Sequence, residues 1–176
     1  VWVSDITYIG KREKPCYLSL ITDAYSKKIV GYNVSDNLNT ESSLAALRLA
    51  IKQRKNKELP LIHHSDRGLQ YCANEYQKML NKNEIKPSMT QNSDPYENAV
   101  AERINGILKQ EFYIDKYNKD LPIMKKIIIE TVDIYNEKRP HLSNHMLTPN
   151  QMHLQNKLVM KTYKTKNSIK NVFDAV

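Results

Sequence analysis

Three acidic residues, spread widely along the 176-residue chain, are the strongest candidates for chemistry: Asp5, Asp66 and Glu102. Asp5 lies inside the β-branched and aromatic stretch VWVSDITYI, where an aspartate is disfavoured unless it is paired, hydrated or bound to a cation. Asp66 follows a short apolar run, at the strand end where open α/β sheets place ligands. Glu102 lies in a predicted helix beside the apolar Val100 and Ile104. Each acid alone is ordinary, but the combination suggests a site.

Carboxylates that converge in this way suit a hard divalent cation. Mg²⁺ prefers octahedral oxygen ligands and keeps waters and substrate phosphate oxygens in its coordination shell. Two such ions about 3.5 to 4 Å apart can hold the attacking and the leaving oxygen of an in-line phosphoryl displacement. Because this chemistry needs no protein nucleophile, the three acids would suffice. We therefore expect Asp5, Asp66 and Glu102 to converge around Mg²⁺ or Mn²⁺, with two ions.

The elements that must position these acids follow from the hydrophobic pattern. The predicted strands cover 1–9, 16–25, 29–34, 59–64 and 84–89. The predicted helices cover 39–55, 74–83, 95–112 and 121–138. The first three strands have short connections, which indicates an antiparallel meander. The whole order predicts one α/β domain with a five-stranded mixed sheet and helices on both faces.

The charge balance favours a polyanionic partner. Lys and Arg number 27 against 19 Asp and Glu, a formal net charge of +8, so nucleic acid is the first expectation and a membrane surface the second. No run of 18 apolar residues and no signal-peptide pattern is present, which predicts a soluble intracellular protein. Cys16 and Cys72 stand far apart without a CxxC pair, and we expect reduced thiols.

The sequence around the three acids resembles that of a known family. The motifs WVSDITYI, HHSDRGLQY, ENAVAERINGILKQE and YNEKRPHLSNHMLTP are similar, in order, to motifs in the catalytic core of bacterial insertion-sequence transposases of the IS-three group. Thirty-five residues separate Asp66 from Glu102, which is the spacing of the D,D(35)E transposases and retroviral-type integrases. The resemblance covers about residues 1–153. It implies a ribonuclease-H-like fold with Asp5, Asp66 and Glu102 as the catalytic, metal-binding triad.

The resemblance also implies a function and a domain organisation. The activity would be metal-dependent cleavage at the ends of a mobile element and DNA strand transfer, by a homo-oligomer in the nucleoid-associated cytoplasm of a bacterium. We expect an integrase-type core at 1–153 and a basic tail at 154–176. Family members carry an N-terminal helix-turn-helix region that this chain lacks, which suggests a fragment.

Two departures and two rival functions accompany this hypothesis. The chain has NSDPYENA where such enzymes often have GNPYDNA, and RINGIL replaces a commoner SFFSTL. Both changes spare the triad, although Gly106 costs a helix roughly 1 kcal/mol relative to alanine.

One rival function is that of a ribonuclease-H-like nuclease that stops after hydrolysis, which the fold and the carboxylates alone do not exclude. The other is a catalytically idle DNA-binding module descended from a transposase.

Several basic residues are candidates for DNA contacts. Lys109 follows Glu102 by seven residues, so both side chains lie on nearly the same helix face. The candidates with weaker support are Arg67, Arg103, Arg139 and His141. His63 and His64 lack a matching metal-ligand pattern and are expected to be structural. The segment MTQNSDP, 89–95, combines turn residues with a position before the catalytic helix and is predicted to be mobile.

Overall fold

The structure is a computed structural model that describes residues 1–10, 15–90 and 98–155. Its five-stranded sheet has the order β3-β2-β1-β4-β5. The strands are β1 (Trp2–Ile9), β2 (Cys16–Asp23), β3 (Ile29–Ser35), β4 (Leu61–Ser65) and β5 (Ile85–Met89). The helices are α1 (Thr40–Gln53), α2 (Leu69–Cys72), α3 (Asn74–Lys82), α4 (Ala99–Phe112), α5 (Leu121–Lys138) and α6 (Pro149–His153), with a 3₁₀ turn at Leu142–Asn144.

The first three strands form the predicted antiparallel meander, and the sheet is mixed. β1 pairs with β2 and β2 with β3 in antiparallel fashion, whereas β4 lies parallel to β1 and β5 parallel to β4. β2 ends at Asp23, two residues earlier than predicted, because the Ser26 N–H and hydroxyl both donate to Asp23 Oδ1 at 2.8 Å. This closes a tight turn into β3.

Two apolar clusters cover opposite faces of the sheet. Apolar residues that are neighbours in β2 or β3 belong to different clusters, because successive side chains of a strand point to opposite faces of the sheet. One cluster joins the sheet to α4 and α5 through Leu20, Ile29, Ile104 and Ile128 among others. The other joins it to α1 and α3 through residues such as Trp2, Ile21, Val30, Leu47 and Tyr76. The prediction of helices on both faces is confirmed.

α1 approaches β3 very closely at Gly31. A Cβ atom at this position would lie 2.3 Å from the Ala46 carbonyl oxygen and 2.8 Å from the Ala50 Cβ. Only the absence of a side chain therefore allows this helix to reach the sheet. Gly106 in α4 is the opposite case: in the described part of the chain, only its chain neighbours and the nearby backbone of α4 lie within 4 Å of the position that its Cβ would take.

The two outermost strands, β3 and β5, each carry an unusual hydrogen-bonding feature. The Asn136 carboxamide of α5 accepts from the Ile29 N–H and donates to the Ile29 carbonyl, both at 3.0 Å. These are the backbone groups of β3 that do not face β2. In β5, Pro87 pairs in register with His63 of β4 and has no N–H to offer on its other side.

Some elements differ from the sequence-based prediction. The short helices α2 and α6 are additional, and α6 begins with a capping box in which the Thr148 hydroxyl accepts from the Gln151 N–H. The described part of α4 starts at Ala99. Most of the segment predicted to be mobile, residues 91–95, and most of the predicted basic tail, residues 156–176, lie outside the described residues. Among the helices that are described, none has both the length and the apolar character needed to cross a membrane.

Candidate active site

Asp5 and Asp66 lie side by side because β1 and β4 are parallel neighbours. Trp2 pairs with His63 and Val3 with His64, an offset of 61 residues that, continued past the end of β4, brings Asp66 level with Asp5. Both aspartates line the same cavity, of about 820 Å³, which we call the first cavity. The two carboxylates that lie 61 positions apart in the sequence therefore share one site.

The helix that carries Glu102 is fastened to β1 beside this site. The Asn98 side chain donates to the Ser4 carbonyl at 3.1 Å, and the Asn105 side chain donates to Asp5 Oδ2 at 2.7 Å. Glu102 lies between these two asparagines on the helix, one turn before Asn105. Its carboxylate is close enough to act electrostatically on Asp5, as that of Asp66 is. The structure therefore gathers the three predicted acids in one neighbourhood.

The surroundings of Asp5 disfavour its charged form. Burial, the largest cause, and the neighbouring Asp66 and Glu102 carboxylates together raise the pKa of its carboxyl group to about 6. Hydrogen bonds from the Asn105 side chain and the Ile6 backbone N–H act in the opposite direction. A half-buried carboxylate beside two other carboxylates is electrostatically unfavourable on its own. A bound cation would relieve this repulsion.

The donor set fits a hard divalent cation at the aspartate pair. Asp5 and Asp66 supply oxygen ligands to an open cavity that can admit phosphate oxygens and waters, as Mg²⁺ requires. In the described ranges 1–10, 15–90 and 98–155, however, no three His, Cys, Asp or Glu side chains are close enough to hold one ion jointly. Glu102 is exposed and does not line the first cavity with the two aspartates.

The two histidines before Asp66 belong to the scaffold beneath the site. Burial lowers the pKa of His63 to about 4, and the His63 Nε2 lies 3.0 Å from the Tyr76 hydroxyl. Tyr71 packs edge-on against Tyr76, and the Ser4 hydroxyl, next to Asp5, donates to the Tyr71 hydroxyl at 2.9 Å. His64 Nδ1 lies 2.9 Å from the Ser88 hydroxyl. These contacts agree with the structural role predicted for both histidines.

Of the predicted DNA-contacting residues, Lys109 lies in the first cavity. Its Nζ is 5.4 Å from the ring centroid of Tyr8, a side chain that is 69% exposed and also lines this cavity. Arg67 follows Asp66 directly, and its Nε donates to the Thr90 carbonyl at 2.9 Å while the residue remains exposed. Both cations are thus adjacent to the carboxylates.

The other three predicted contacts come together at a different place. Arg103, Arg139 and His141 line a second cavity, of about 490 Å³, between α4 and the segment after α5. Arg139 forms a two-pronged ion pair with Glu111, with both N–O distances 2.6 Å. Burial and the nearby Arg139 and Lys27 charges lower the pKa of His141 to about 4, so its ring is neutral at pH 7. His141 is only 7% exposed, which makes it a wall of the cavity rather than a surface contact.

The sequence reasoning missed the two asparagines that position α4. Both are buried: Asn98 is the N-cap residue of α4, where asparagine is common, whereas Asn105 lies within α4, whose other buried positions are apolar. Asparagine is a poor residue for a helix interior, so the place of Asn105 on an otherwise apolar face was the available signal. Its meaning depends on Asp5 lying opposite, which only the tertiary structure reveals.

The comparisons with known proteins agree with this architecture. A family model described as "Integrase core domain" matches residues 1–95, and a second one with the same description matches residues 83–149. The chain belongs to the integrase core domain family. In this integrase core the three acids lie on β1, just after the parallel strand β4, and on the helix α4, which packs against β1 and β2.

Two curated relatives illustrate where such cores occur. The integrase core is 37% identical over 145 residues to the insertion element IS600 uncharacterized 31 kDa protein of Shigella sonnei. This alignment covers 80% of this chain and 52% of that protein. The core is also 31% identical over 156 residues to the transposase InsF for insertion sequence IS3fB of Escherichia coli. This second alignment covers 88% of this chain and 54% of the relative. The chain thus spans about half the length of these relatives. The predicted likeness to transposases of the IS-three group is confirmed.

A solved structure supports the fold. The catalytic core domain of HTLV-2 integrase, in a trimeric form in complex with magnesium, aligns with a TM-score of 0.66 at 21% identity. The alignment covers 86% of this chain and 94% of the viral core. The predicted ribonuclease-H-like fold with a five-stranded mixed sheet is therefore confirmed.

Proposed function

We propose that this integrase core is the catalytic part of a DNA transposase that cleaves phosphodiesters at the ends of an element and transfers the resulting 3′-hydroxyl end to another DNA strand. The observation that carries the proposal is the arrangement of Asp5 and Asp66 on neighbouring parallel strands, with Glu102 on a helix hydrogen-bonded to Asp5. The chain's family and its transposase relatives support the same activity.

Each residue of the site has a distinct part in this proposal. Asp5, Asp66 and Glu102 would hold Mg²⁺ or Mn²⁺, in our proposal two ions, which when bound stabilise developing charge on the phosphodiester oxygens. Asn105 orients the Asp5 carboxylate through the 2.7 Å hydrogen bond. Lys109 and Arg67 would bind DNA phosphates beside the carboxylates. Arg103, Arg139 and His141 would contact DNA further along its path.

Assembly and cellular location follow from the same proposal. Joining two element ends requires at least two catalytic cores, so we expect a homo-oligomer on DNA. The relatives that are named as insertion-sequence transposases come from bacteria, and the net charge of +8 suits association with nucleoid DNA. We therefore place the activity in the bacterial cytoplasm, on DNA.

One assay separates this function from its two rivals. The chain is incubated in Mg²⁺ or Mn²⁺ with labelled DNA that carries candidate element ends, and the products are resolved by size. A transposase core gives both cleaved and joined strands. A ribonuclease-H-like nuclease gives cleaved strands alone, and an idle DNA-binding module gives neither. Absence of the joined product would contradict the proposal.

Magnesium is expected to stabilise the fold through the aspartate pair. Binding to the native state alone raises the free energy of unfolding by about 2.7 kcal/mol when the ion is at a hundred times its dissociation constant. The midpoint of thermal unfolding should therefore rise as Mg²⁺ is titrated. Asp5→Asn should abolish this response, because it removes one of the two adjacent carboxylates.

The matched control for this titration is Asp133→Asn, which changes an exposed aspartate in α5. It should retain the full response to Mg²⁺. An Asp5→Asn protein that is still stabilised by Mg²⁺ as strongly as the unchanged chain would contradict the assignment of Asp5 as a ligand.

Lys109→Ala is expected to weaken DNA binding by the same factor for all sequences. Phosphate contacts position DNA without reading its bases. The slope of log K against log salt should fall by about 1, because one counterion fewer is released. Fluorescence anisotropy with one labelled duplex over a range of salt concentrations measures both quantities. Lys109→Arg should restore most of the binding.

An exposed lysine on another helix provides the comparison. Lys125→Ala in α5 removes the same charge from the chain, away from the first cavity. It should leave the salt slope nearly unchanged. If Lys109→Ala and Lys125→Ala behave alike, Lys109 is an ordinary surface cation and its assigned role is wrong.

A further inference from the structure

We propose that the second cavity binds an unpaired nucleotide of the DNA substrate, its phosphate on the cationic rim and its base on the apolar floor. This inference rests on the proposed function and adds a separate subsite to it. The cavity is lined by Lys27, Arg103 and Arg139, together with apolar residues of α4 and of the 3₁₀ turn. Its volume of about 490 Å³ lies within the range of small-ligand pockets.

The rim of the cavity has an excess of positive charge. Among the described residues, Arg139 is balanced by Glu111, whereas the Lys27 ammonium group donates only to the uncharged carbonyls of Ala24 and Tyr25. Arg103 is exposed on α4 and has no ion-pair partner within ranges 1–10, 15–90 and 98–155. Lys27, Arg103 and Arg139 thus face the carboxylates of Asp23 and Glu111, which leaves one positive charge in excess for an anion. The guanidinium group of Arg103 can hold a phosphate by two parallel hydrogen bonds.

The floor of the cavity is apolar. Val100, Ile104 and Ile107 of α4 line it, and Leu142, which is 84% exposed, stands at its mouth. A free phosphate ion would gain nothing from such a floor. An unpaired base would gain binding energy from it, because a base that has left the helical stack exposes a face that packs against apolar or aromatic side chains.

A buried ring nitrogen points to a ligand with hydrogen-bonding groups. His141 is 7% exposed and lines the cavity, and its Nε2 has no hydrogen-bond partner in the described part of the chain. The ring is held in place by edge-on contact with Tyr135, at 5.3 Å between centroids, and by the His141–Leu147 backbone bridge. Buried polar atoms in native proteins are nearly always hydrogen-bonded. A base edge or a phosphate oxygen in the cavity would satisfy this nitrogen.

The position of the cavity fits a strand that passes the carboxylates. Glu102 and Arg103 are consecutive residues of α4, and successive side chains of a helix diverge by about 100°. Lys109 of α4 lines the first cavity and Arg103 of α4 lines the second, so both cavities lie beside this helix. A DNA strand held at Glu102 can place a neighbouring unpaired nucleotide around the helix.

The test compares two DNAs that differ only in pairing. One is a blunt duplex, and the other has the same duplex with a short 5′ overhang. The intact 176-residue chain should bind the overhang DNA about fivefold or more tightly, the lower limit of what one stacked base contributes. Leu142→Glu should remove this preference and leave binding to the blunt duplex nearly unchanged, whereas Arg103→Ala should remove the preference and also weaken binding to both DNAs. Both side chains are exposed, so neither change disturbs the apolar core.

Matched controls make the outcome decisive. Arg48→Ala removes an arginine from α1, where it pairs with Glu41, and Leu59→Glu places the same acid at another exposed leucine. Both controls should keep the overhang preference. The inference is overturned if the intact chain shows no preference, or if the controls lose it as the cavity variants do.

A crosslinking measurement locates the base directly. With 5-iodouracil at the unpaired position, irradiation should attach the DNA to the peptide segments 99–107 or 139–143. Crosslinks found only elsewhere would overturn the inference. Failure here is distinguishable from failure of the proposed function, because metal-dependent strand joining can persist without any overhang preference, and the preference can persist without joining.

Discussion

Glu102→Gln is expected to lower both DNA cleavage and strand joining by about a hundredfold or more while leaving DNA binding nearly unchanged. The substitution keeps the size of the side chain and removes one negative charge from the proposed metal site. Metal ions supply several kcal/mol of stabilisation to a phosphoryl-transfer transition state, and each 1.36 kcal/mol is a factor of about ten in rate. Rates of product formation in Mg²⁺ and equilibrium binding of the same labelled DNA measure the two effects.

The control is Glu130→Gln, an exposed glutamate of α5. It should cleave and join at the rate of the unchanged chain. A Glu102→Gln protein with nearly full activity would rule out the carboxylate assignment, and equal loss in both variants would indicate a general electrostatic effect.

Gly31→Ala is expected to reduce the free energy of unfolding by about 1 to 3 kcal/mol, towards the upper end of this range. The added methyl group would meet the Ala46 carbonyl oxygen at 2.3 Å, and a backbone atom of α1 cannot move aside as a flexible side chain could. Either α1 shifts away from β3 or the helix distorts. Thermal unfolding should show a midpoint lower by several degrees, at about 2 to 4 °C per kcal/mol for a chain of this size.

The same substitution at Gly106 should have the opposite sign. Apart from its chain neighbours and the nearby backbone of α4, no atom of the described residues lies within 4 Å of the position its Cβ would take, and alanine is favoured over glycine within a helix by about 1 kcal/mol. Gly106→Ala should therefore raise the unfolding midpoint. If both alanines destabilise the chain alike, the close approach of α1 to β3 is not the reason.

The sequence predicted most of the elements and singled out the three acids as candidates, because both leave local signals. Strand and helix periods predicted the meander and α5 with its bounds at 121–138. Asp5 stood out because a carboxylate is costly inside a strand. The juxtaposition of Asp5 and Asp66 required the register of β1 on β4, which no local pattern encodes, and the resemblance of the motifs supplied the expectation in its place.

Other parts of the site could not be predicted because they are contacts between distant segments. The hydrogen bond from Asn105 to Asp5 joins positions a hundred residues apart. The grouping of Arg103, Arg139 and His141 in one cavity arises where α4 meets the chain after α5. In the sequence, Arg103 and Arg139 were isolated cations, and His141 was a histidine close to a predicted helix end. Their common surroundings give them a shared role only in the folded chain.

The hydrogen bonds of Asn136 and the position of Pro87 have a consequence for how copies of this chain can associate. An outermost strand with free N–H and carbonyl groups invites another chain to extend the sheet, which is a route to aggregation. In β3, the N–H and the carbonyl of Ile29 point away from β2 and are already bonded to the Asn136 carboxamide. On the far side, β5 offers no N–H at Pro87 and carries an exposed lysine at Lys86. Extension of the sheet is thus disfavoured at both ends, so copies in the proposed DNA complex would meet through helices and loops.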